Sequence, residues 1–436
     1  MQSIRGMHDI LPEEIEYWQH IYNKAFKILD TANYKEIRTP ILESQTLFER
    51  SIGQETDIIN KEMYTFIDRG NREITLRPEG TAGIARAIIQ NKLCENNSVQ
   101  KLWYLGPMFR YERPQKGRQR QFHQLGLECY GTKNPIIDAE VIFLAKTILQ
   151  NLQFNSVTLE INSIGNQQER EIYESQLKKY LSQYIKDLDK ESAHRISTNP
   201  FRILDSKNPK LTEILRNGPK ITDYLQKESL NHFNQVQEYL DNMGIKFSIN
   251  HNLVRGLDYY NDTVFEIKTD LLGSQDTICG GGRYDNLTQQ IGGKQINAVG
   301  WGIGIERLLL LTKDNLLLTK QKICIYIAIP DIKDIKHGLK ITQALQQYHL
   351  KYELDMSGCS IKKHIQKASK KQAMLCLLIG QDEIQNQTIS LKWMYKNKQF
   401  SYSKASFYKL LPEIQKEYAQ YVQSSAVKST IKTHMT

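Results

Sequence analysis

Four segments of the chain gather side chains able to handle a charged substrate. The first is L-R-P-E-G-T, with Glu79, Gly80 and Thr81. The second runs from Phe109 to Glu128 and sets Arg110, Glu112, Arg113, Arg118 and Arg120 around a Pro/Gly turn, followed by Gln124 and Glu128. The third is L-V-R-G-L-D-Y-Y, with Arg255, Asp258, Tyr259 and Tyr260, and the fourth is G-W-G-I-G-I-E-R-L, whose three alternating glycines end in Arg307. Guanidinium groups stay charged and present a forked set of donors, and glycines let a ligand approach the backbone. That inventory suits a multiply charged anion such as a nucleoside triphosphate. The chain has no Walker-type lysine loop, and G-x-G-x-G is not G-x-G-x-x-G, which argues against a P-loop or a dinucleotide fold. Singly, each segment has a plainer reading: Arg307 paired with carboxylates near Glu306, Tyr259 and Tyr260 in a core, Arg110 and Glu112 as a surface ion pair. Four together favour a common site.

The elements around these segments imply an α+β fold. Residues 13–33 have the spacing of an amphipathic helix, and E-I-R-T-P-I-L-E is extended because Thr39 precedes Pro40. Stretches 72–77, 100–109, 122–131, 156–163 and 264–269 carry the β-branched and aromatic content of strands. Strands in a block with helices between and after them predict an antiparallel sheet flanked by helices. Residues 168–248 are polar and read as a helical insertion, so the sheet domain comprises 1–167 and 249–318. From 322 to 424 the pattern becomes strand (Ile323–Ile329), helix, strand (Tyr352–Met356), lysine-rich helix, strand (Met374–Ile379), a separate small α/β domain. Residues 425–436 read as a loose tail.

Charge divides the chain the same way. From Lys322 to the end there are 18 Lys, no Arg and 8 acidic residues, while the preceding 321 residues hold 40 basic and 40 acidic groups, so the whole net charge of +10 lies in the last quarter. A basic module for a polyanion, joined to a neutral body, fits that asymmetry. Lys362, Lys363, Lys367, Lys370 and Lys371 crowd one helical segment, with Lys363, Lys367 and Lys370 on one stripe and Ile361, Ile365 and Ala368 toward an apolar face. A merely solvated lysine-rich surface is the plain alternative. The six cysteines are scattered, with no spacing that suggests a zinc site or a disulfide framework, so no protein metal site is expected. No apolar run is long enough to span a bilayer, and M-Q-S-I-R-G-M-H-D has no signal core, which predicts a cytoplasmic protein without a membrane partner.

The segments also resemble the class II aminoacyl-tRNA synthetases, and among them the histidine family. I-R-G-M-H-D-I-L-P-E-E resembles that family's opening, and E-I-R-T-P-I-L-E its motif 1, with Pro40 at the marked proline. F-R-Y-E is similar to motif 2 and G-I-E-R-L to motif 3; L-V-R-G-L-D-Y-Y-N-D-T-V-F-E and G-G-R-Y-D (Gly281 to Asp285) resemble the two stretches peculiar to the histidine enzymes. The resemblance spans the chain, least clearly in the insertion and the tail, and makes the basic domain an anticodon-binding one. It implies ATP-dependent activation of L-histidine, with Mg²⁺ on the ATP phosphates, transfer to tRNA(His), and a homodimer. Carried over, it puts Arg110, Glu112, Arg118 and Arg307 on ATP. Glu79, Thr81 and Gln124 would hold the α-amino group, with Gly80 also among the histidine-binding residues; Glu128 and Tyr260 would meet the imidazole nitrogens, with Tyr259 and Tyr284 shaping the pocket. Arg255 and Arg110 would be catalytic, Arg255 touching carboxylate and α-phosphate. Arg113, Gln115 and Lys116 would meet the acceptor end of the tRNA, and Lys363, Lys367 and Lys370 its anticodon end. A catalytically inactive paralogue, acting as a regulatory subunit of histidine biosynthesis, is the rival; its mark would be loss of these arginines and of the terminal domain.

Overall fold

The computed structural model describes residues 1–433 apart from 54–55, 96–97, 116, 155, 186–187, 189–192, 197–198, 207, 273–275 and 313–322. It divides into two compact units, Met1–Leu316 and Leu317–Thr436. The first is built on an eight-stranded sheet. In spatial order its strands are β1 (Lys35–Glu36), β5 (Gln100–Phe109), β6 (Gln121–Tyr130), β11 (Ala298–Gly304), β10 (Thr277–Arg283), β9 (Asn261–Lys268), β7 (Thr158–Ser163) and β8 (Ser248–Ile249). Every pairing from β5 to β7 is antiparallel; only the two-residue edge strands β1 and β8 pair in parallel. The antiparallel sheet expected from the sequence is present, and its centre is two strands that were not expected, β10 and β11, both glycine-rich.

Alternation explains what the two faces do. On one face Trp103, Leu125, Leu127, Phe265, Ile267, Cys279, Trp301 and Ile303 are buried in a single apolar cluster. The helices Pro12–Thr31 and Ile136–Asn151 supply Ile21, Ala25, Leu29, Val141, Leu144 and Ile148 to that cluster. On the other face the register places Tyr104 opposite Gly126 and Leu102 opposite Glu128. It then sets Glu128 opposite Gly300 and Gly126 opposite Gly302. Gly302 in turn faces Gly280, and Gly280 faces Glu266. A row of glycines thus lowers the floor of that face and leaves room above it.

A buried ion-pair network clamps the sheet to its helical layer. Arg283 leaves β10 on the helix side, is fully buried, and donates to Asp138 of the Ile136–Asn151 helix and to Asp285. Asp285 also accepts from the Ala298 amide at 2.9 Å. Removing one partner of such a network strands the other charge in the core. Arg283→Ala is therefore expected to destabilise the unit by about 3–5 kcal/mol. The measurement is the urea midpoint, which should fall at unchanged slope; an unaltered midpoint would mean that the network contributes nothing net.

Residues 42–44 (β2), 64–67 (β3) and 73–76 (β4) form a separate three-stranded antiparallel sheet. Across 167–247 the described elements are helical, among them Gln167–Ser182, Pro209–Arg216 and Lys227–Asn242. Asn166 caps the first, accepting from the Glu169 amide while Glu169 accepts from that of Asn166.

The C-terminal unit carries a five-stranded sheet ordered β13 (Tyr352–Leu354), β12 (Ile325–Ala328), β14 (Leu375–Leu378), β15 (Thr388–Trp393), β16 (Lys398–Ser403). The first three are parallel, as a β-α-β-α-β order requires, and β15–β16 append an antiparallel hairpin that the sequence did not lead us to expect. The final helix spans Lys404–Thr433, so residues 425–433 continue it; beyond Pro412 no Gly or Pro interrupts the propagating hydrogen bonds, and residues 434–436 lie outside the described ones. One expectation is corrected here. On the lysine-rich helix Ile361–Lys370, Ile361 is exposed and His364 takes the buried position beside Ala368.

Candidate active site

Above the glycine row lies an open cavity of about 270 Å³, and all four segments reach it. Arg110, Glu112 and Arg118 come from the end of β5 and the loop after it, Gln124 from β6, Arg255, Tyr259 and Tyr260 from the loop before β9, and Arg307 from the helix Ile305–Thr312. Glu79 and Thr81 reach it from the start of the helix Thr81–Gln90.

The outer end is cationic. Glu112 stands between two guanidinium groups, 3.2 Å from the exposed Arg118 and 3.9 Å from Arg110; the Arg110–Glu112 pair is partly buried, which removes the surface ion-pair reading for it. Arg110 Nε donates to the Pro78 carbonyl at 2.9 Å and its guanidinium lies over the Phe122 ring. Arg307 donates to the carbonyls of Thr277 (2.7 Å) and Gly117 (3.4 Å); its neighbour Glu306 is taken by the amide and ring of His123. Burial, and then the charges of Arg118 and Arg110, pull the Arg307 pKa below its usual value despite the opposing Glu112. Crowded like charges in a partly desolvated place are the electrostatic mark of an anion site.

Arg255 lies in the wall over Gly280, where a Cβ would overlap its guanidinium. It is paired with Glu266, whose other oxygen accepts from Thr277 Oγ1 at 3.0 Å. Its Nε is buried and makes no hydrogen bond. Glu266 was overlooked at the sequence level although N-D-T-V-F-E had drawn attention; its spacing gave no hint that it would lie beside Arg255.

The inner end is different in kind. Glu128 is buried under the floor, seated against Gly300, accepting from Thr81 Oγ1 at 2.7 Å and from the Tyr284 hydroxyl. Burial pushes its carboxyl up to about 8, because those two donors recover only part of the lost hydration. Tyr259, Tyr260 and Tyr284 lie near it and meet one another tilted or edge-on, their ring centroids 4.7–6.1 Å apart, and burial pushes the Tyr260 phenol up to about 12. Glu79 is also buried, and burial raises its pKa, although the amides of Thr81 and Ala82 donate to its two oxygens at 2.6 and 2.7 Å. It thereby caps a helix start and still faces the cavity. Gly80 does not line the cavity; it yields space to the ring of Tyr104, a buried lining residue missed in the sequence although its place in β5 follows from alternation.

The loop between β5 and β6 is pinned from the amino terminus. Gly6 has φ +83°, its carbonyl accepts from the amides of Arg120 (2.8 Å) and Gln121 (3.2 Å), and a Cβ there would press on Arg120 and Pro114. Arg120 stacks on Tyr111 at 3.7 Å. Arg113 and Gln115 are exposed on this loop, and Lys116 lies outside the described residues. In the other unit Lys363 and Lys370 are exposed, whereas Lys367 folds back to donate to Asp355 (3.0 Å) and Ser357 (2.6 Å).

An antiparallel sheet with arginines at one end of its open face and a helix bearing the last of them is the fold of a class II aminoacyl-tRNA synthetase. Comparison with known proteins narrows this. A family model described as histidyl-tRNA synthetase matches residues 6–308, and one described as an anticodon binding domain matches 325–416. The chain is 56% identical to a chloroplastic histidine–tRNA ligase of Gracilaria tenuistipitata var. liui, over 95% of this chain and 98% of that one. It is 49% identical to the histidine–tRNA ligase of Cyanothece sp., over 92% and 93%. The crystal structure of apo S. aureus histidyl-tRNA synthetase superposes with a TM-score of 0.79 at 35% identity, covering 94% of this chain and 99% of that one. The chain belongs to the histidyl-tRNA synthetase family.

Proposed function

We propose that the chain activates L-histidine with ATP and transfers it to the 3′ end of tRNA(His). The observation that carries this reading is the polarity of one cavity: guanidinium groups line its outer end, and Tyr259 and Tyr260 line its inner end over the buried carboxylate of Glu128, which lies just beneath the floor. In the first step a histidine carboxylate oxygen attacks the α-phosphorus and the bond to the departing pyrophosphate breaks; in the second, a ribose hydroxyl displaces AMP. No group need be protonated in the first step. The obstacle is anion meeting anion, and fixed guanidinium groups lower it by position and charge.

Arg110, Glu112, Arg118 and Arg307 hold ATP in this reading, and Arg255 bridges the histidine carboxylate and the α-phosphate. Glu79, Thr81 and Gln124 take the α-amino group, while Glu128 and Tyr260 take the ring nitrogens between Tyr259 and Tyr284. Mg²⁺ carried on the ATP phosphates would supply neutralisation of the leaving pyrophosphate when bound, and Glu112, the carboxylate among the outer arginines, is the residue that would neighbour it. We assign catalysis to the sheet unit (1–167 and 249–318), with 168–248 as its insertion, and anticodon binding to 322–424. The exposed Ile41, Leu42, Phe66 and Ile67 on and beside the three-stranded sheet support self-association as a homodimer. No helix among the described residues is long and apolar enough to cross a membrane. We place the chain in the compartment where its tRNA is charged, the cytoplasm or its plastid counterpart.

The deciding experiment is ATP–pyrophosphate exchange against all twenty amino acids, with exchange expected for histidine alone. Lack of exchange with histidine would overturn the reading and favour an inactive paralogue. For the second substrate, Lys363→Glu combined with Lys370→Glu should raise the KM for tRNA about tenfold or more and flatten its salt dependence, leaving exchange unchanged. Equal losses in both assays would remove these lysines from tRNA binding.

A further inference from the structure

The C-terminal unit contains a cluster of side chains that amino-acid activation does not use. Asp355, at the end of β13, Cys359, in the following loop, and His364, on the helix Ile361–Lys370, each present one donor atom, and the three atoms lie within 4.8 Å of one another. Spacing along the chain gave no reason to group them; the turn back from β13 into the helix does.

The histidine is the informative member. His364 is completely buried, and neither ring nitrogen makes a hydrogen bond, although Nδ1 lies 3.3 Å from Asp355 Oδ2. A buried imidazole left in that condition loses hydration without replacement, and an apolar residue would fill the same position beside Ala368 at no such cost. Asp355 gathers donors instead: the Tyr326 hydroxyl, the Ser357 amide at 2.7 Å, and Lys367 Nζ at 3.0 Å. Lys367, whose charge also faces Cys359, occupies the position where a cation would be neutralised. Its side chain is 42% exposed, so it can swing into solvent without unpacking the core.

We propose that Asp355, Cys359 and His364 form a binding site for a borderline divalent cation of the zinc class, which replaces the Lys367 ammonium on Asp355 when it binds. Imidazole nitrogen, thiolate and carboxylate are the donor set that Zn²⁺ accepts, at about 2.0–2.3 Å each. Ligand atoms around one tetrahedral ion stand about 3.3–3.8 Å apart, so movements of about 1 Å close the site. Water completes the fourth position. Binding would tie the loop before the helix to the helix itself and release Lys367 toward the exposed lysines.

The test uses the full-length chain stripped of metal with a chelator. Titration with Co²⁺ should give one equivalent with thiolate-to-cobalt absorption, lost in Cys359→Ser and kept in Cys94→Ser, the control for the other cysteine that is not fully buried. His364→Gln should weaken Zn²⁺ binding by about 100-fold, at the upper end of what loss of supporting partners alone costs. Lys367→Gln, altered at a half-exposed side chain where misfolding is no concern, should tighten Zn²⁺ binding several-fold because the competing ammonium is gone. No thiolate-to-cobalt band, a band that survives Cys359→Ser, or Zn²⁺ binding not tightened by Lys367→Gln would overturn the proposal.

Discussion

Arg255→Ala is expected to lower histidine-dependent ATP–pyrophosphate exchange by about 10³–10⁵ while ATP binding remains measurable, by analogy with arginines that serve phosphoryl transfer elsewhere. The reason lies in where Arg255 sits and what surrounds it. It is packed over Gly280 and paired with Glu266, so its guanidinium is held in place before substrate arrives. Burial works against its charge, but Glu266 more than offsets this and raises its pKa, so it stays cationic at any working pH. Its side chain lines the cavity, while its Nε is buried without an acceptor among the described residues. Alanine removes a preorganised charge whose effect grows as the transition state gathers negative charge on the phosphoryl oxygens. The fold should survive, since Glu266 keeps Thr277 Oγ1 and has Lys268 at 3.5 Å. Arg255→Lys separates charge from geometry: it keeps a cation and loses the fork, so an intermediate rate is expected. The measurement is exchange rate against nucleotide affinity for the three proteins. An Arg255→Ala protein that exchanges at the wild-type rate would remove this residue from the chemistry.

How much of this could be read from residues alone depended on whether a signal was local. Gln100–Phe109 and Gln121–Tyr130 are strands made of β-branched and aromatic residues, and composition located both nearly to the residue. Thr277–Arg283 and Ala298–Gly304 are strands as well, but with glycine at most positions of one face they lack the composition of strands. G-W-G-I-G looked like a ligand-binding motif, and its Gly302 and Gly304 do line the cavity. Its alternation is also the strand period, with Trp301 and Ile303 packed below and three glycines leaving space above. One of these spaces is filled by the protein's own Glu128, which sits against Gly300, and Arg255 fills the space over Gly280 on the neighbouring strand. Arg307 and Arg110, 197 residues apart in the chain, converge because β5 and β11 flank β6, which no local pattern records. The same holds for Glu266 beside Arg255 and for the buried setting of His364.

Glu128→Gln should raise the KM for histidine by about 10- to 100-fold, with a far smaller effect on the KM for ATP, because glutamine cannot ionise when the imidazole arrives, and the charge-assisted hydrogen bond of about 1.5–3 kcal/mol that the carboxylate would make to the ring is replaced by a neutral one. The site tolerates the swap sterically. Thr81 Oγ1 and Tyr284 OH are hydroxyls that can turn to accept from an amide as readily as they now donate to the carboxylate. The substitution has a second consequence in the empty protein. In the unfolded chain a glutamate titrates near 4.5, and in this cavity burial raises Glu128 to about 8. The folded state therefore holds this proton more tightly than the unfolded state, and by linkage its contribution to stability is full below about 4.5 and is lost as pH rises through about 8. Glutamine carries no such proton. Thermal melts of the two proteins without ligand should diverge in favour of Glu128→Gln as pH climbs across that window, and histidine should stabilise the wild type more than the variant at every pH. A constant difference in melting temperature would mean that the carboxyl is ionised in the folded protein at neutral pH. Equal rises in both Michaelis constants would mean that it does not meet the imidazole.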